Sequence, residues 1–198
     1  MAHHFISHSL KQARATGLPI TFCDEETQHG STFGTRFSNA FSTMFARGFD
    51  YVIAIGNDTP ALSAKHIQKA ADQLRSGQAD IVLGPATDGG TWLTALSKEA
   101  FSTGGFQQLP WQKNTLFDSI LQQFRDHFSI SCLDRFSDLD DPQSVTAFLR
   151  QKTHRLLGLI NILRSFLAGL YSYRKHQEHA LPTFSFYTCN LLRAPPLT

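Results

Sequence analysis

Three short acidic segments hold the residues best suited to chemistry: Asn57-Asp58, Asp88-Gly89-Gly90, and Asp138-Leu139-Asp140-Asp141-Pro142. Carboxylates brought together suit a hard divalent cation. Mg²⁺ takes oxygen ligands, commonly one or two protein carboxylates completed by substrate phosphates and water. Aspartate also makes turns and caps helices without binding anything, so each segment alone has a plain structural explanation, and the metal chemistry requires the three to meet. Other constellations are weaker. His4 and His8 stand at i, i+4, a metal-binding spacing, but no third ligand accompanies them and they read as solvated terminal histidines. Ser, His and Asp are all present without a G-x-S-x-G elbow, which argues against a serine hydrolase. Neither G-x-G-x-x-G nor G-x-x-x-x-G-K-[ST] occurs. Trp92 and Trp111 suit stacking on a base or sugar, with core packing the plainer role for at least one of them. Cys23, Cys132 and Cys189 are odd in number and form no CxxC, which argues against a disulfide framework or a cysteine zinc site and points to a reducing compartment.

The elements that must position these residues alternate between strand and helix. Residues 5–16 read as a short helix and 19–23 as a short strand. From Thr35 to Arg47, Phe37, Ala40, Phe41, Met44 and Phe45 recur at helical spacing, which with Phe33 makes a core stripe that Gly48 ends. Tyr51-Val52-Ile53-Ala54-Ile55 is a continuous apolar run, the mark of a strand buried on both faces. Ser63 is placed to cap a helix reaching Arg75, with Ile67, Ala70, Ala71 and Leu74 inward. Ile81-Val82-Leu83 is a second buried strand, so residues 51–83 read as a βαβ unit. Further strands are expected at 92–96 and 130–133, a helix at 114–128, and a last helix opening at Asp141-Pro142 with Asp as cap and Pro at its first position. The fold class expected is α/β, with ligands beyond the carboxyl ends of the strands, and the acidic segments stand after the strands at 51–55, 81–83 and 130–133.

Composition sets the bounds. The chain has 198 residues, 17% charged and 41% hydrophobic, with 18 Lys+Arg against 16 Asp+Glu. One core is within reach of that length, and so small a net charge argues against a nucleic-acid binder working by bulk electrostatics. Residues 1–150 read as one domain. Residues 151–198 read as a C-terminal apolar helix and tail, centred on 156–173 with Arg155 and Arg174-Lys175 at its flanks. Packing on the domain is the expected use of that helix, with a homodimer contact or a peripheral membrane contact as alternatives. Arg164 and its shortness disfavour a span. The start lacks a basic segment followed by an apolar run, so no signal peptide is expected and the location expected is cytoplasmic.

Five strings together resemble a known family. Gln28-His29-Gly30-Ser31-Thr32-Phe33-Gly34-Thr35-Arg36-Phe37 matches Q-x-G-x-x-[FL]-G-x-R-[FM]. Gly56-Asn57-Asp58-Thr59-Pro60-Ala61-Leu62 matches G-[SN]-D-x-P-x-L. Leu83 to Gly90 is similar to [VL]-L-G-P-x-x-D-G-G, Leu109-Pro110-Trp111 to [ILV]-P-W, and Asp138 to Pro142 to D-[VL]-D-x-P. In this order, over about residues 17–149, they resemble the GT-A-like selenodomain-associated transferases and glycosyltransferases of the nucleotide-diphospho-sugar transferase superfamily, relatives of the molybdenum-cofactor and phospholactate guanylyltransferases. The resemblance implies a three-layer, mixed and mostly parallel sheet, an Mg²⁺ or Mn²⁺ ion, a nucleotide or nucleotide-sugar donor, and an acceptor it does not name. It implies metal binding by Asp58 with Asp138 or Asp140, and catalysis by Asp58 and Asp88. Asn57, Gly89, Gly90 and Trp111 would lie on the substrate, Gln28 and Gly30 near the nucleoside, and Arg36 on a phosphate. The family pattern also places an apolar first strand and a basic loop of the type P-G-x-x-K-T-R-L ahead of these motifs. Neither appears before residue 17, so the expectation is a sheet lacking its first strand, with an exposed or rearranged edge.

Overall fold

The computed structural model describes residues 2–24, 27–57, 59–136 and 186–191, with 2–5 and 186–191 described by backbone alone. Helix α1 (Ala2–Arg14) leads into strand β1 (Ile20–Cys23), helix α2 (Phe33–Ala46) and strand β2 (Tyr51–Ile55). Then come α3 (Ala64–Arg75), β3 (Ile81–Pro85), β4 (Thr91–Ser97), the short α4 (Lys98–Ser102), a 3₁₀ turn (Phe106–Gln108), α5 (Leu116–Phe124), β5 (Ile130–Cys132) and β6 (Phe186–Leu191). The helices anticipated over residues 5–16, 35–47, 63–75 and 114–128 are present, the last as a shorter α5; the helix expected to open at Asp141-Pro142 lies outside the described residues. The segment from α4 to the 3₁₀ turn has too few residues to show a period, and the sequence reading passed over it.

The six strands form one mixed sheet in the order β1-β6-β2-β4-β3-β5. Only β3 and β5 pair in parallel; every other neighbouring pair is antiparallel. These pairings give β1, β2, β3 and β5 one direction and β4 and β6 the other. The expected βαβ unit is therefore altered. β2 and β3 do run the same way around α3, but β4 lies between them. The cause is local: the turn at 86–90 sends β3 straight back into β4, with Ala86 N donating to Gly90 O at 2.9 Å, and β4 then pairs with β2 through Tyr51↔Ser97 to Ile55↔Leu93. Periodicity specifies which faces are buried, not which neighbour a strand takes. The slot between β1 and β2 holds β6, with Cys189 opposite both Ile20 and Ile53. These six residues belong to the sheet, although composition groups them with the tail. The boundary near residue 150 and the segment 156–173 lie outside the described residues.

Alternation along the central strands feeds two cores. Ile53, Ile55, Val82, Leu93 and Ala95 pack with Ala13 of α1 and the inner face of α3. Val52, Ala54, Ile81, Leu83 and Leu96 pack with Phe37, Phe41, Met44 and Phe45 of α2 and with Leu116, Ile120 and Phe124 of α5. Both faces of these strands are covered by helices, which is why their sequences read as unbroken apolar runs. The phenylalanine stripe of α2 is core as expected: Phe37 and Phe41 stack at 4.4 Å between ring centres, and Thr32 caps the helix by accepting from Thr35 N at 3.1 Å. No helix among the described residues is long and apolar enough to cross a membrane.

Candidate functional site

The four co-directional strands end at Cys23, Ile55, Pro85 and Cys132. Their following loops therefore leave from one edge of the sheet, and most of the motif residues ride on them. Asn57 follows β2, the Asp88-Gly89-Gly90 turn follows β3, and Gln28, Gly30 and the first turn of α2 with Arg36 follow β1. With strands about 4.8 Å apart, the turn after β3 lies roughly 10 Å along the edge from the loop after β2 and roughly 19 Å from the loop after β1. The site is a long edge rather than a single pit.

At its β1 end, Asp24 Oδ1 accepts from Thr27 N at 3.0 Å and from Thr27 Oγ1 at 2.8 Å, closing a turn that presents Gln28. Gln28 Nε2 donates to Cys23 O at 2.9 Å. Arg36 Nη1 reaches Gly30 O at 3.5 Å, a long contact that leaves most of a five-donor guanidinium for other partners. Gln28 and Arg36 line one cleft of about 150 Å³ between β1 and α2. The structure thus brings together residues spaced eight apart in the sequence. Trp111 lies against the first turn of α2, its ring tilted 36° to that of Phe37 at 4.3 Å between centres. Its indole N–H is spent on Phe106 O at 2.7 Å. Gly34 makes this contact feasible, since a Cβ there would strike Gln107 O and the Trp111 ring.

At the β3 end, Asp88 Oδ1 accepts from Gly90 N at 2.8 Å, an Asx turn on an exposed carboxylate. Gly89 has φ +90°, and a Cβ on it would run into Asn114 O. Phe117 N donates to Gly89 O at 3.0 Å, tying the turn to the start of α5. Arg135 Nη1 donates to Ala86 O at 2.8 Å and lies over the Phe117 ring. Trp92 is core, 1% exposed, stacked on Phe136 at 4.9 Å with its N–H on Asp134 O at 3.2 Å.

The middle of the edge is held by α1, whose contacts here the sequence pattern did not signal. Ser9 Oγ donates to Gly56 O at 3.4 Å, His8 Nε2 donates to Leu62 O at 3.0 Å, and Gln12 Oε1 accepts from Ala64 N at 3.1 Å. One face of α1 therefore clamps the loop that carries Asn57. The expectation that His8 is a solvated terminal residue is corrected here, because the fold gives it a carbonyl partner 54 residues away; the side chain of His4 is outside those described. At the first turn of α3, His66 Nδ1 accepts from Ser63 N at 3.1 Å. Its ring lies 5.0 Å from Phe136 and 5.8 Å from Trp92. Burial pushes the His66 pKa below the ordinary histidine value, opposed by nearby Asp134 and reinforced by Lys69. The signal was present in the sequence as Ser-x-x-His, a capping box with His in the place of Glu or Gln.

Asp58, Asp138 and Asp140, the expected metal ligands, lie outside the described residues. Among the described residues no group of three His, Cys, Asp or Glu side chains converges to hold a metal ion. Cys23 and Cys132 are free thiols, and burial pushes both pKa values up, so neither is primed as a nucleophile.

A crystal structure from Desulfovibrio desulfuricans G20, of a provisionally named nucleotide-diphospho-sugar transferase, superposes with a TM-score of 0.63 at 25% sequence identity, over 74% of this chain and 64% of its own. The chain thus spans less than two thirds of that protein's length. No curated protein matches the chain. Residues 5–113 match the model of a family described as uncharacterized protein conserved in bacteria, DUF2064, and that span, over half of the 198 residues, makes the chain a member of that family.

Proposed function

We propose that this chain is a GT-A-type transferase that takes a nucleotide-linked donor, most closely a glycosyltransferase. The observation that carries the proposal is the common direction of β1, β2, β3 and β5, which brings the loops bearing the motif residues to one edge. Helices on both sheet faces and the likeness to the Desulfovibrio protein support the same reading. An edge roughly 19 Å long between the cleft after β1 and the turn after β3 suits a donor with a base at one end and a sugar at the other.

In this proposal Gln28 and Gly30 face the nucleoside and Arg36 neutralises a phosphate, its guanidinium having among the described residues a single long partner, Gly30 O at 3.5 Å. Asn57 lies on the middle of the donor, in the loop that α1 holds. Gly89 and Gly90 let backbone approach the transferred group. Asp88, with Oδ1 fixed by Gly90 N, offers Oδ2 to hold or remove the acceptor's proton. Trp111 serves the site by holding residues 105–111 against α2. Asp58 with Asp138 and Asp140 would hold Mg²⁺ or Mn²⁺, which supplies positive charge to a leaving diphosphate.

Calorimetry with the full chain, Mn²⁺ or Mg²⁺, and a panel of nucleotides and nucleotide sugars tests this. Metal-dependent, saturable binding is expected, abolished in Asp58→Ala and weakened about tenfold or more in Arg36→Ala, since hydrogen bonds to charged groups are worth about 1.5–3 kcal/mol. A chain that binds none of the panel, or binds equally well as Asp58→Ala, overturns the proposal. Product analysis then separates sugar transfer, which releases a nucleotide, from nucleotidyl transfer, which releases pyrophosphate.

A further inference from the structure

His66 occupies a place that none of the five family motifs marks. Two ring contacts tie it to two loops of the carboxyl edge. Its ring lies 5.8 Å from that of Trp92, and Trp92 O accepts from Gly56 N at 2.9 Å, beside Asn57. On its other side it lies 5.0 Å from the ring of Phe136. Phe136 is laced to the turn after β3, its N donating to Pro85 O at 3.0 Å and its O accepting from Thr87 N at 2.9 Å. His66 therefore stands between the loop that carries Asn57 and the turn that carries Asp88. Trp92 belongs to β4, three strands along the sheet from β1, so this place is roughly 14 Å from the cleft of Gln28 and Arg36.

The state of the ring is fixed by its neighbours. Ser63 N can only donate, and it donates to His66 Nδ1 at 3.1 Å. Nδ1 is therefore the acceptor of a neutral ring, and the proton sits on Nε2. The cap accounts for Nδ1 and leaves Nε2–H unused, with no acceptor for it among the described residues. Nε2 is also open to solvent, since the buried side-chain atoms left without a partner among the described residues are Ser38 Oγ and Gln73 Oε1. Asp134 is close enough to act on the ring through its charge, but no hydrogen bond joins the two. Turning the ring over to offer its other nitrogen would break the cap. The result is a neutral N–H donor held on a helix and already oriented, the arrangement that costs a ligand least to meet. A neutral donor suits an uncharged oxygen, whereas phosphate oxygens call for a full positive charge.

We propose that His66 is a further substrate-binding residue, its Nε2–H donating to a hydroxyl of the sugar carried by the nucleotide-linked donor, between Asn57 and Asp88. The proposal rests on the transferase reading and adds the residue that holds the transferred group.

The test is imidazole nitrogen NMR on the full chain with ¹⁵N-labelled histidine and Mg²⁺, the His66 signal being identified by its loss in His66→Gln. The ligands are UDP-glucose, ADP-glucose and GDP-mannose, each beside its own nucleoside diphosphate. The free protein is expected to show the proton on Nε2. Saturation with a nucleotide sugar that binds is expected to shift the His66 Nε2–H signal, and the matching diphosphate is expected to leave it in place. In calorimetry His66→Leu, which has neither donor nor acceptor, is expected to bind that nucleotide sugar about threefold to tenfold more weakly, the worth of one hydrogen bond, with its affinity for the diphosphate unchanged. His66→Gln, which keeps an acceptor for Ser63 N and an N–H for the sugar, is expected to restore binding to within twofold. If His66→Leu is not folded, the NMR measurement on the unaltered chain decides. A proton on Nδ1, an Nε2–H signal that stays in place when the nucleotide sugar binds, or an equal shift with the diphosphate alone would each overturn the assignment of His66 and leave the transferase reading standing. Absence of binding by every nucleotide sugar and diphosphate would overturn both.

Discussion

His66 shows how much one side chain can decide at this edge. Its Nδ1 accepts from Ser63 N, so the ring must be neutral with its proton on Nε2. Protonation would set two hydrogens against each other and break the cap. Burial lowers the folded pKa, with Asp134 opposing and Lys69 adding to the effect, while the unfolded value is near 6.5. The sign follows: the unfolded chain takes up the proton first, so stability from this group is complete above about pH 6.5 and is lost as pH falls through the folded pKa. Thermal melts from pH 8 to pH 5 are expected to fall more steeply for the wild type than for His66→Gln, which keeps an acceptor and does not titrate; parallel profiles would remove the role assigned here. Ser63 as a cap was legible because cap preferences are local. His66 was not, because its worth depends on Trp92 and Phe136, which arrive from β4 and from beyond β5. The same holds for Asp88. Its turn was legible from Asp-Gly-Gly, but the fixing of Gly89 against Asn114 needed the fold.

Among the elements, α1 is the one whose role the sequence conceals most. Its composition reads as an ordinary terminal helix, yet it supplies the hydrogen-bond partners of Gly56, Leu62 and Ala64. Gln12 in effect caps α3 from a distance, since the first amides of a helix have no partner within it. Gln12→Ala is expected to cost about 1 kcal/mol, the usual loss for a missing cap, and to lower the melting temperature by roughly 2–4 °C for a chain of this size. Gln12→Glu is expected to cost less than the alanine, because its carboxylate still accepts and sits at the positive end of the helix. Denaturant midpoints check both, and an unchanged midpoint in Gln12→Ala would mean that α1 only rests on the loop. By contrast α2, α3 and β2 were legible nearly to the residue, because a stripe at helical spacing or an unbroken apolar run fixes an element without reference to its neighbours. β6 was missed although Phe186-Tyr187-Thr188-Cys189 is rich in strand-forming types, because it follows a long stretch dominated by the apolar run at 156–173.

At the scale of the molecule, the order β1-β6-β2-β4-β3-β5 could not be read from pattern, because turn chemistry at 86–90 and a strand from the far end of the chain settled it. The shared direction of β2 and β3 was legible, but the mostly parallel sheet expected is corrected to one with a single parallel pair, β3 and β5, because β4 and β6 insert antiparallel between the others; the common direction of β1, β2, β3 and β5 that remains is what gathers the loops at one edge. That edge spans two cores: the loop after β2 is anchored through α1 and α3 on one sheet face, while the cleft beside β1 and the turn after β3 lean on α2 and α5 on the other. A ligand lying along the whole edge would tie both cores together and stabilise the molecule as a unit. A ligand at the β1 cleft alone would leave the clamp of α1 on its loop unchanged. With metal and a nucleotide sugar at one hundred times its dissociation constant, linkage predicts about 2.7 kcal/mol of added stability. For a chain of this size that is a rise of roughly 5–11 °C in melting temperature. Hydrogen exchange under the same conditions is expected to slow at Gly56, at Gly90 and in the first turn of α2 together. Slowing confined to α2, with the other two unchanged, would shorten the site to the β1 cleft and remove the argument for a donor that spans the sheet.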